Sequence, residues 1–156
     1  MIEITISGYK TLPLEHLVLD YNGTLACDGV LIEGVSACLG AIARQLRIHV
    51  LTADTFGTAA AALAGMPCEL SVLPQSAQDT AKLDYVEKLG AGTVAAVGNG
   101  RNDRLMLKAA ALGIAVVQRE GAAVETLIDA DIVAPDIVSA LELLLYPLRL
   151  VATLRS

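Results

Sequence analysis

The chain has 156 residues, of which 54% are hydrophobic, and it carries a net charge of −6 with a pI near 4.8. This length predicts a single domain, residues 1–156, with a core large enough to fold without disulfides or structural metals. No uncharged apolar run reaches the ~18 residues of a spanning helix, and the 11 Lys and Arg residues are scattered, so we expect neither a membrane nor a nucleic acid as partner.

The cysteines and the first residues favour a cytoplasmic protein. Cys27, Cys38 and Cys68 are odd in number and lack metal-site spacing. The start, MIEITISGYK, has no basic flank followed by an apolar signal core. We therefore expect reduced thiols that are simply buried.

The first half of the chain predicts strands and helices in alternation. Residues 1–7 alternate apolar and polar side chains, which is typical of a half-buried edge strand. An apolar strand at 17–20 ends in Asp20, and the glycines of 21–33 predict turns or a small hairpin. The pattern then predicts a helix at 35–46, a strand at 48–51, a helix at 58–64, a strand at 69–73 and a helix at 77–89.

The second half continues the same rhythm. It predicts a strand at 94–97, a helix at 102–111, a strand at 113–117, a helix at 122–128, a strand at 131–133 and a helix from Asp136. We expect the segment after Pro147 either to pack against the domain or to be frayed. Strands that alternate with helices imply right-handed crossovers, so the predicted fold is a three-layer α/β/α, Rossmann-like sandwich with a mainly parallel sheet.

Polar residues cluster at the carboxyl ends of the predicted strands. The clusters are 20–24 (DYNGT), 52–54 (TAD) and 98–103 (GNGRND), with Lys82 on a helix between the last two. Ligands of open α/β sheets bind beyond the carboxyl ends of the strands, so Asp20 should face a crevice instead of the core. A single polar turn is weak evidence of a site, whereas three such clusters and Lys82 in this order are strong evidence.

These clusters resemble motifs of the haloacid dehalogenase-like superfamily, over about residues 14–145. DYNGTL (20–25) resembles the DKTGTL of P-type ATPases, LTAD (51–54) resembles their TGD, and AVGNGRNDRLMLKAAALGIAV (96–116) resembles their GDGxND segment with the helix and strand that follow it. The resemblance is to a soluble, P-type ATPase-like branch without a cap domain. Ion pumping is excluded for this chain alone, because the membrane helices and nucleotide-binding domain are absent.

The resemblance implies a role for each matching residue. Asp20 would be the nucleophile that forms an aspartyl-phosphate, Thr52 would hydrogen-bond a phosphoryl oxygen, and Lys82 would pair with the nucleophile and the phosphoryl group. The residues expected to contact substrate are Gly23, Thr24, Ala53 and Asn102.

Purely structural roles are the alternatives for the same residues. Asp20 could cap a turn and Thr52 could cap a helix. Lys88 and Lys108 are rivals to Lys82 by charge only. Arg101 is expected to face solvent, and the two histidines, His16 and His49, are expected to be structural.

The resemblance also implies a Mg²⁺ site with two unusual residues. The predicted ligands are Asp20, the backbone carbonyl of Asn22, Asn99 and Asp103. Asn22 stands where phosphatases carry the general acid/base Asp. Because an amide cannot exchange a proton near neutral pH, we expect turnover to be slower by ~10²–10⁴-fold.

The spacing of the motifs leaves no room for a cap. Residues 26–51 and 53–81 each suffice for one crossover, so the site should be open, and we expect a homo-oligomer that covers it. Two functions follow. One is a Mg²⁺-dependent phosphohydrolase or phosphotransferase that acts on a small phosphorylated substrate, and the other is a weakly active or inactive binding or regulatory module that binds phosphate.

Overall fold

The computed structural model describes residues 1–54 and 57–156, which contain ten strands and seven helices. The strands are β1 (Ile2–Thr5), β2 (Thr11–Leu14), β3 (His16–Asp20), β4 (Ala26–Cys27), β5 (Val30–Leu31), β6 (Arg47–Thr52), β7 (Glu69–Val72), β8 (Val94–Gly98), β9 (Leu112–Val116) and β10 (Ile132–Ala134). The helices are α1 (Val35–Ile42), α2 (Thr58–Leu63), α3 (Gln78–Leu89), α4 (Arg104–Ala109), α5 (Val124–Asp129), α6 (Ile137–Leu145) and α7 (Pro147–Leu154).

Six of the strands form one parallel sheet in the order β10-β9-β8-β3-β6-β7. The central strands β8 and β9 are buried along their whole length, as expected for a parallel sheet covered on both faces. Helix α1 packs against α6, and α3 packs against α4. The predicted three-layer α/β/α sandwich is therefore confirmed.

Alternate residues of β3 pack into the apolar clusters on the two faces of the sheet. Leu17 and Leu19 belong to the apolar cluster on the side of α1 and α6, whereas Val18 belongs to the cluster that contains Val86 of α3 and Met106 of α4. This alternation follows from the two-residue period of a strand. Asp20, the next position, lies at the end of the strand, beyond the apolar part of the core.

The N-terminal strand differs from its prediction. The edge strand expected at 1–7 does not join the main sheet, because β1 pairs with β2 in a separate antiparallel hairpin. Ile4 packs into the core together with Leu150 of α7. β2 was not predicted since it contains Pro13, which a strand tolerates at an edge.

Several boundaries are shorter than predicted. Helix α1 ends at Ile42, and the helix expected at 102–111 is a 3₁₀ turn, Arg101–Asp103, followed by α4. The final segment docks, because Pro147 occupies the first turn of α7 and Leu150 is fully buried.

The crossovers are as short as expected. In the described residues, the hairpin β4–β5 and α1 connect β3 to β6, while α2 and β7 lie between β6 and α3. No cap domain is present among these residues, which confirms that prediction.

No single helix in the described parts of the chain is long and apolar enough to cross a bilayer. Helices α6 and α7 meet the length and composition criteria only when taken together, and the chain bends by 99° between them.

Candidate active site

The sheet topology places Asp20 where the strand order reverses. After β3, the chain adds β6 and β7 on one side and then β8, β9 and β10 on the other. Ligands of open α/β sheets bind at such a switch point, beyond the carboxyl ends of the strands. Asp20 is the last residue of β3, is 6% exposed and lines a cleft of ≈ 810 Å³.

A buried lysine bridges two carboxylates behind this cleft. Lys82 Nζ lies 2.7 Å from Asp20 Oδ1 and 2.6 Å from Asp103 Oδ1. Lys82 and Asp103 are essentially inaccessible to solvent. Buried charges are tolerated when they are paired and hydrogen-bonded, and this triad of one cation and two anions meets that condition.

Asp103 is anchored on its other side by the loop after β8. Its Oδ2 accepts hydrogen bonds from the backbone N–H groups of Asn99 and Gly100, both at 2.9 Å. A Cβ at Gly98 would lie 2.4 Å from Asp103 Cγ, so glycine is required there. Both oxygens of Asp103 are thus bound to protein groups, and this carboxylate orients Lys82 from behind the cleft.

Burial and charge shift the pKa values of the triad. Burial raises the pKa of the Asp20 carboxyl to about 7, the negative charge of Asp103 adds to the rise, and Lys82 opposes it. Burial alone would lower the pKa of Lys82, but the two carboxylates outweigh it and raise that pKa. Lys82 therefore stays charged, while a further cation in the cleft would favour ionised Asp20.

Thr24 links Asp20 to the loop after β8. Its hydroxyl lies 3.0 Å from Asp20 Oδ2 and 3.2 Å from Asn99 Oδ1. Gly23 has a φ of +80°, and a Cβ there would lie 2.4 Å from Asn99 Nδ2. Because Thr24 is fully buried, its side chain contacts Asp20 and not the cleft. Asp20 is thus held by Lys82 on one oxygen and by Thr24 on the other.

Other predicted residues lie on the wall of the cleft. Thr52 ends β6, beside β3, and its hydroxyl oxygen accepts a hydrogen bond from the Asp54 N–H at 3.1 Å. A hydroxyl that accepts this bond still has its own proton to donate. Asn102 donates to Gln78 Oε1 at 2.7 Å, which ties the loop after β8 to the start of α3.

The predicted residues thus divide into two groups. Six line the cleft, namely Asp20, Asn22, Thr52, Ala53, Asn99 and Asn102. The other four do not line it: Thr24 and Lys82 contact Asp20, Asp103 contacts Lys82, and Gly23 lies against Asn99.

Three residues near the site were not assigned a role from the sequence. Asp54 and Gln78 line the cleft, and Gln118 donates to the carbonyls of Gly23 and Thr24 at 3.1 and 2.9 Å. Gln118 follows β9 within two residues. The rule that locates ligands at the carboxyl ends of strands would have found it.

The rival lysines lie elsewhere. Lys88 is exposed at the end of α3, and Lys108 Nζ lies 3.5 Å from Asp129 with its side chain 60% exposed. Arg101 is 81% exposed and pairs with Glu125 at 3.3 Å, as expected for a residue that faces solvent, although it also lines the rim of the cleft.

The oxygen donors of the cleft fit a magnesium ion. Mg²⁺ prefers hard oxygen ligands and combines one or two carboxylates with waters and substrate phosphate. Asp20, Asn22 and Asn99 line the same cleft, whereas both oxygens of Asp103 already accept hydrogen bonds. The donor set is therefore suitable in type, and among the four predicted ligands Asp20 is the one whose carboxylate faces the cleft.

Comparisons with known proteins give one sequence relative and several structural neighbours. No family model matches the chain. An uncharacterized protein from Methanocaldococcus jannaschii is 48% identical over 79 residues, which cover 48% of this chain and 85% of that protein.

Two solved structures illustrate the structural likeness. One is the 3-deoxy-D-manno-octulosonate 8-phosphate phosphatase from Moraxella catarrhalis in complex with magnesium, phosphate and KDO. It has a TM-score of 0.67 and 17% identity, and the match covers 91% of this chain and 94% of that chain. The other, a zinc-transporting PIB-type ATPase, has a TM-score of 0.63 and 26% identity. This match covers 80% of this chain but only 20% of the ATPase.

Proposed function

This chain belongs to the same family as the Methanocaldococcus protein and has the haloacid dehalogenase-like fold, and we propose that it is a phosphohydrolase or phosphotransferase with Asp20 as its nucleophile. The observation that carries the proposal is the Asp20–Lys82 pair, 2.7 Å apart, at the tip of the central strand. A fixed cation beside a carboxylate suits attack on a phosphoryl group, because it offsets the negative charge of the transferring oxygens.

The reaction proceeds in two displacements. A carboxylate oxygen of Asp20 attacks phosphorus, the bond from phosphorus to the leaving oxygen breaks, and that oxygen takes a proton from water. Water, or an alcohol in a phosphotransferase, then attacks the aspartyl-phosphate and releases the Asp20 carboxylate, while its proton passes to solvent. Thr52 donates its hydroxyl proton to a phosphoryl oxygen, and Ala53 and Asn102 contact the substrate.

Asn22 makes both proton transfers slow. It is exposed in the cleft, where an acid could reach the leaving oxygen, but its amide cannot exchange a proton near neutral pH. We expect Asn22→Asp to speed hydrolysis of the aspartyl-phosphate by ~10²-fold, within the usual range of general acid–base catalysis. Hydrolysis that stays at the wild-type rate, in a variant shown to be folded by circular dichroism, would contradict this role.

Magnesium is the cofactor that we propose for this cleft. Asp20, the backbone carbonyl of Asn22 and the Asn99 side chain would hold it, with Asp103 orienting Lys82 behind them. When bound, Mg²⁺ neutralises phosphoryl charge and orients the phosphate. The raised pKa of Asp20 makes a second cation useful, since Lys82 alone leaves that carboxyl partly protonated at neutral pH.

The substrate that we propose is a small phosphorylated molecule. The cleft is open and no cap lies over it in the described residues, so a neighbouring copy of the chain in a homo-oligomer would supply the cover. The M. catarrhalis neighbour acts on a sugar-acid phosphate by its name, which is consistent with this substrate class. We place the reaction in the cytoplasm.

The proposal is tested by trapping the phosphorylated nucleophile. Wild-type protein is incubated with acetyl phosphate and Mg²⁺, and intact-mass spectrometry is expected to show the added mass of one phosphoryl group. Asp20→Asn should abolish the adduct, and peptide mapping should locate it at Asp20. Lys88→Met serves as the control, since it removes an exposed charge from the helix that carries Lys82.

An adduct or full turnover that persists in Asp20→Asn would overturn the mechanism. So would the absence of both from wild-type protein across a range of phosphate donors.

A second candidate, a non-catalytic module that binds phosphate, is favoured by the contacts of Asn99. Its Nδ2 donates to the Gly121 carbonyl at 3.1 Å and its Oδ1 lies 3.2 Å from the Thr24 hydroxyl, so the amide is well accommodated by protein groups. Under this alternative, calorimetry would detect phosphate binding without an adduct, and Asn22→Asp would not create turnover.

A further inference from the structure

Gln118 ties the loop after the nucleophile to a distant helix. Its Nε2 donates to the carbonyls of Gly23 at 3.1 Å and Thr24 at 2.9 Å, while its Oε1 accepts the backbone N–H of Ile137, at the start of α6, at 2.8 Å. A primary amide offers two donor hydrogens and an acceptor oxygen. Gln118 uses both ends, so the loop is fixed relative to α6.

The loop that Gln118 holds carries a hydroxyl with two competing acceptors. Thr24 has one hydroxyl proton, and the candidate acceptors, Asp20 Oδ2 and Asn99 Oδ1, lie at 3.0 and 3.2 Å. Because these distances differ by little, a small displacement of the loop decides which acceptor receives the proton. The nucleophile therefore keeps this contact only while the loop is held in place.

The turn that begins at Gln118 also fixes the second acceptor. The Gly121 N–H donates to the Gln118 carbonyl at 2.9 Å, and the Gly121 carbonyl accepts Nδ2 of Asn99 at 3.1 Å. The same turn therefore contacts the Thr24 carbonyl through the side chain of Gln118 and contacts the Asn99 side chain through the carbonyl of Gly121. Thr24 and one of its two acceptors, Asn99, are therefore both held by residues 118–121.

We propose that Gln118 is a positioning residue for the Asp20 nucleophile, which acts by holding Thr24 so that its hydroxyl donates to Asp20. The inference rests on the proposed function of Asp20. Lys82 fixes one oxygen of the carboxylate and Thr24 fixes the other, so loss of Gln118 lets the carboxylate rotate away from the line of attack. Misplacement of a reacting group by about 1 Å costs on the order of 10²-fold in rate.

The test compares Gln118→Met with Arg119→Met. Methionine keeps the length of glutamine but donates no hydrogen bond, and Arg119 is an exposed neighbour in the same turn. Phosphorylation of Asp20 is followed by quenched mass spectrometry over a range of acetyl phosphate concentrations. We expect Gln118→Met to slow the maximal rate by ~10–100-fold with the half-saturating concentration unchanged, and Arg119→Met to match wild type.

A double-mutant cycle shows whether Gln118 acts through Thr24. Thr24→Val removes the hydroxyl at nearly constant volume and should slow phosphorylation to a similar extent. Gln118→Met should then add little in the Thr24→Val background, since the contact it maintains is already lost. Additive effects, or a Gln118→Met rate equal to that of Arg119→Met, would overturn the proposal. A rate that falls only with the folded fraction would overturn it as well.

Hydrogen exchange separates this inference from the proposed function. Amides of the segment 20–26 should exchange faster in Gln118→Met than in Arg119→Met, while the exchange of β8 and β9 stays unchanged. If wild-type protein forms no adduct, the proposed function fails. Faster exchange confined to 20–26 would still show that Gln118 holds this loop in place. Unchanged exchange in that segment would show that Gln118 does not hold the loop, whether or not the protein is active. If Gln118→Met does not fold, Gln118→Glu replaces it, since its carboxylate would oppose two carbonyl oxygens and should loosen the same segment.

Discussion

Helix α3 contributes to two polar networks, one buried and one half-buried, that are one turn apart. Lys82 joins Asp20 and Asp103 at the carboxyl ends of the strands. Tyr85 lies deeper along the sheet, where its hydroxyl is 3.0 Å from His49 Nδ1, and His49 Nε2 is 3.1 Å from His16 Nδ1. The same helix thus supports an ionic network beside a cleft and a second network of histidine and tyrosine away from it.

The two networks differ in the charge that they hold. In the first, burial raises the pKa of the Asp20 carboxyl to about 7, whereas in the second, burial lowers the pKa of His49, with a smaller opposing effect from Glu69. Burial favours the neutral form in both cases, but only the first network retains a buried ammonium, Lys82. A charged group is thus kept buried at the carboxyl ends of the strands, whereas charge is disfavoured farther down the sheet.

This difference predicts opposite dependences of stability on pH. Asp20 holds its proton more tightly in the folded protein, so its contribution to stability falls as pH rises from about 4 to 7. His49 holds its proton less tightly when folded, so its contribution falls as pH drops below 6.5, the ordinary histidine value. The two slopes oppose each other in slightly acidic solution.

The largest effect should come from removing the only cation of the first network. Lys82→Met leaves Asp20 and Asp103 buried 2.6–2.7 Å from the position that the ammonium occupied, with no charge to offset them. Removing one partner of a buried ion network costs about 3–5 kcal/mol. We expect that loss in guanidinium unfolding at neutral pH, together with loss of the phosphorylated adduct.

Lys88→Met on the same helix is the matched control. Lys88 is exposed, so we expect a change within about 0.5 kcal/mol. Equal losses from the two variants would show that the triad contributes no more than a surface charge, and the contrast between the networks would disappear.

A second effect on the free energy of unfolding, smaller and opposite in sign, should follow from neutralising Asp20. Asp20→Asn removes an ionised carboxylate that burial destabilises and leaves Lys82 paired with Asp103. The rise in pKa from 3.8 to about 7 sets an upper limit of ~4 kcal/mol, so Asp20→Asn should be more stable than wild type by about 1–4 kcal/mol above pH 7. The gain should shrink as pH falls from 7 toward 4 and vanish well below pH 3.8, where the carboxyl is protonated in both the folded and the unfolded state.

Unfolding by guanidinium at a series of pH values measures this gain. If the two stability curves run parallel from pH 4 to 7, the Asp20 carboxyl is ionised in the folded protein throughout that range, and burial does not control its proton.

The convergence of the strand-end residues follows from topology, whereas Lys82, which lies on helix α3, was assigned only through the family resemblance. Asp20 ends one strand, Thr52 ends its neighbour, and the loop with Asp103 follows the next strand on the other side. Once the strands are parallel, their carboxyl ends lie at one edge. The residues then converge without any knowledge of side-chain rotamers.

The supporting contacts could not be predicted in the same way. Gln118 reaches across from β9 to the carbonyls of the loop after β3, and Asp103 turns both oxygens toward the protein. These arrangements depend on loop conformation and strand order. Periodicity in the sequence carries no information about either.

The second network shows the same limit. His16 and His49 were expected to be structural, and no partner could be identified for either. Their contact exists because β3 and β6 pair in parallel with Val18 opposite His49, which brings the two imidazoles within 3.1 Å. A shift of register by one residue would reverse the face on which His49 lies.

The smallest effect should come from the second network, and it is best measured without the first. In an Asp20→Asn background the opposing slope is absent, so any remaining loss of stability as pH falls below about 6.5 should come mainly from His49. His49→Gln keeps a hydrogen-bonding side chain beside Tyr85 but has no group that titrates in this range, and we expect it to flatten that loss. The measurement is guanidinium unfolding of the single and double variants between about pH 5 and 8. Parallel curves for the two would mean that His49 binds its proton equally in the folded and unfolded states, so that burial governs proton binding only in the network beside the cleft.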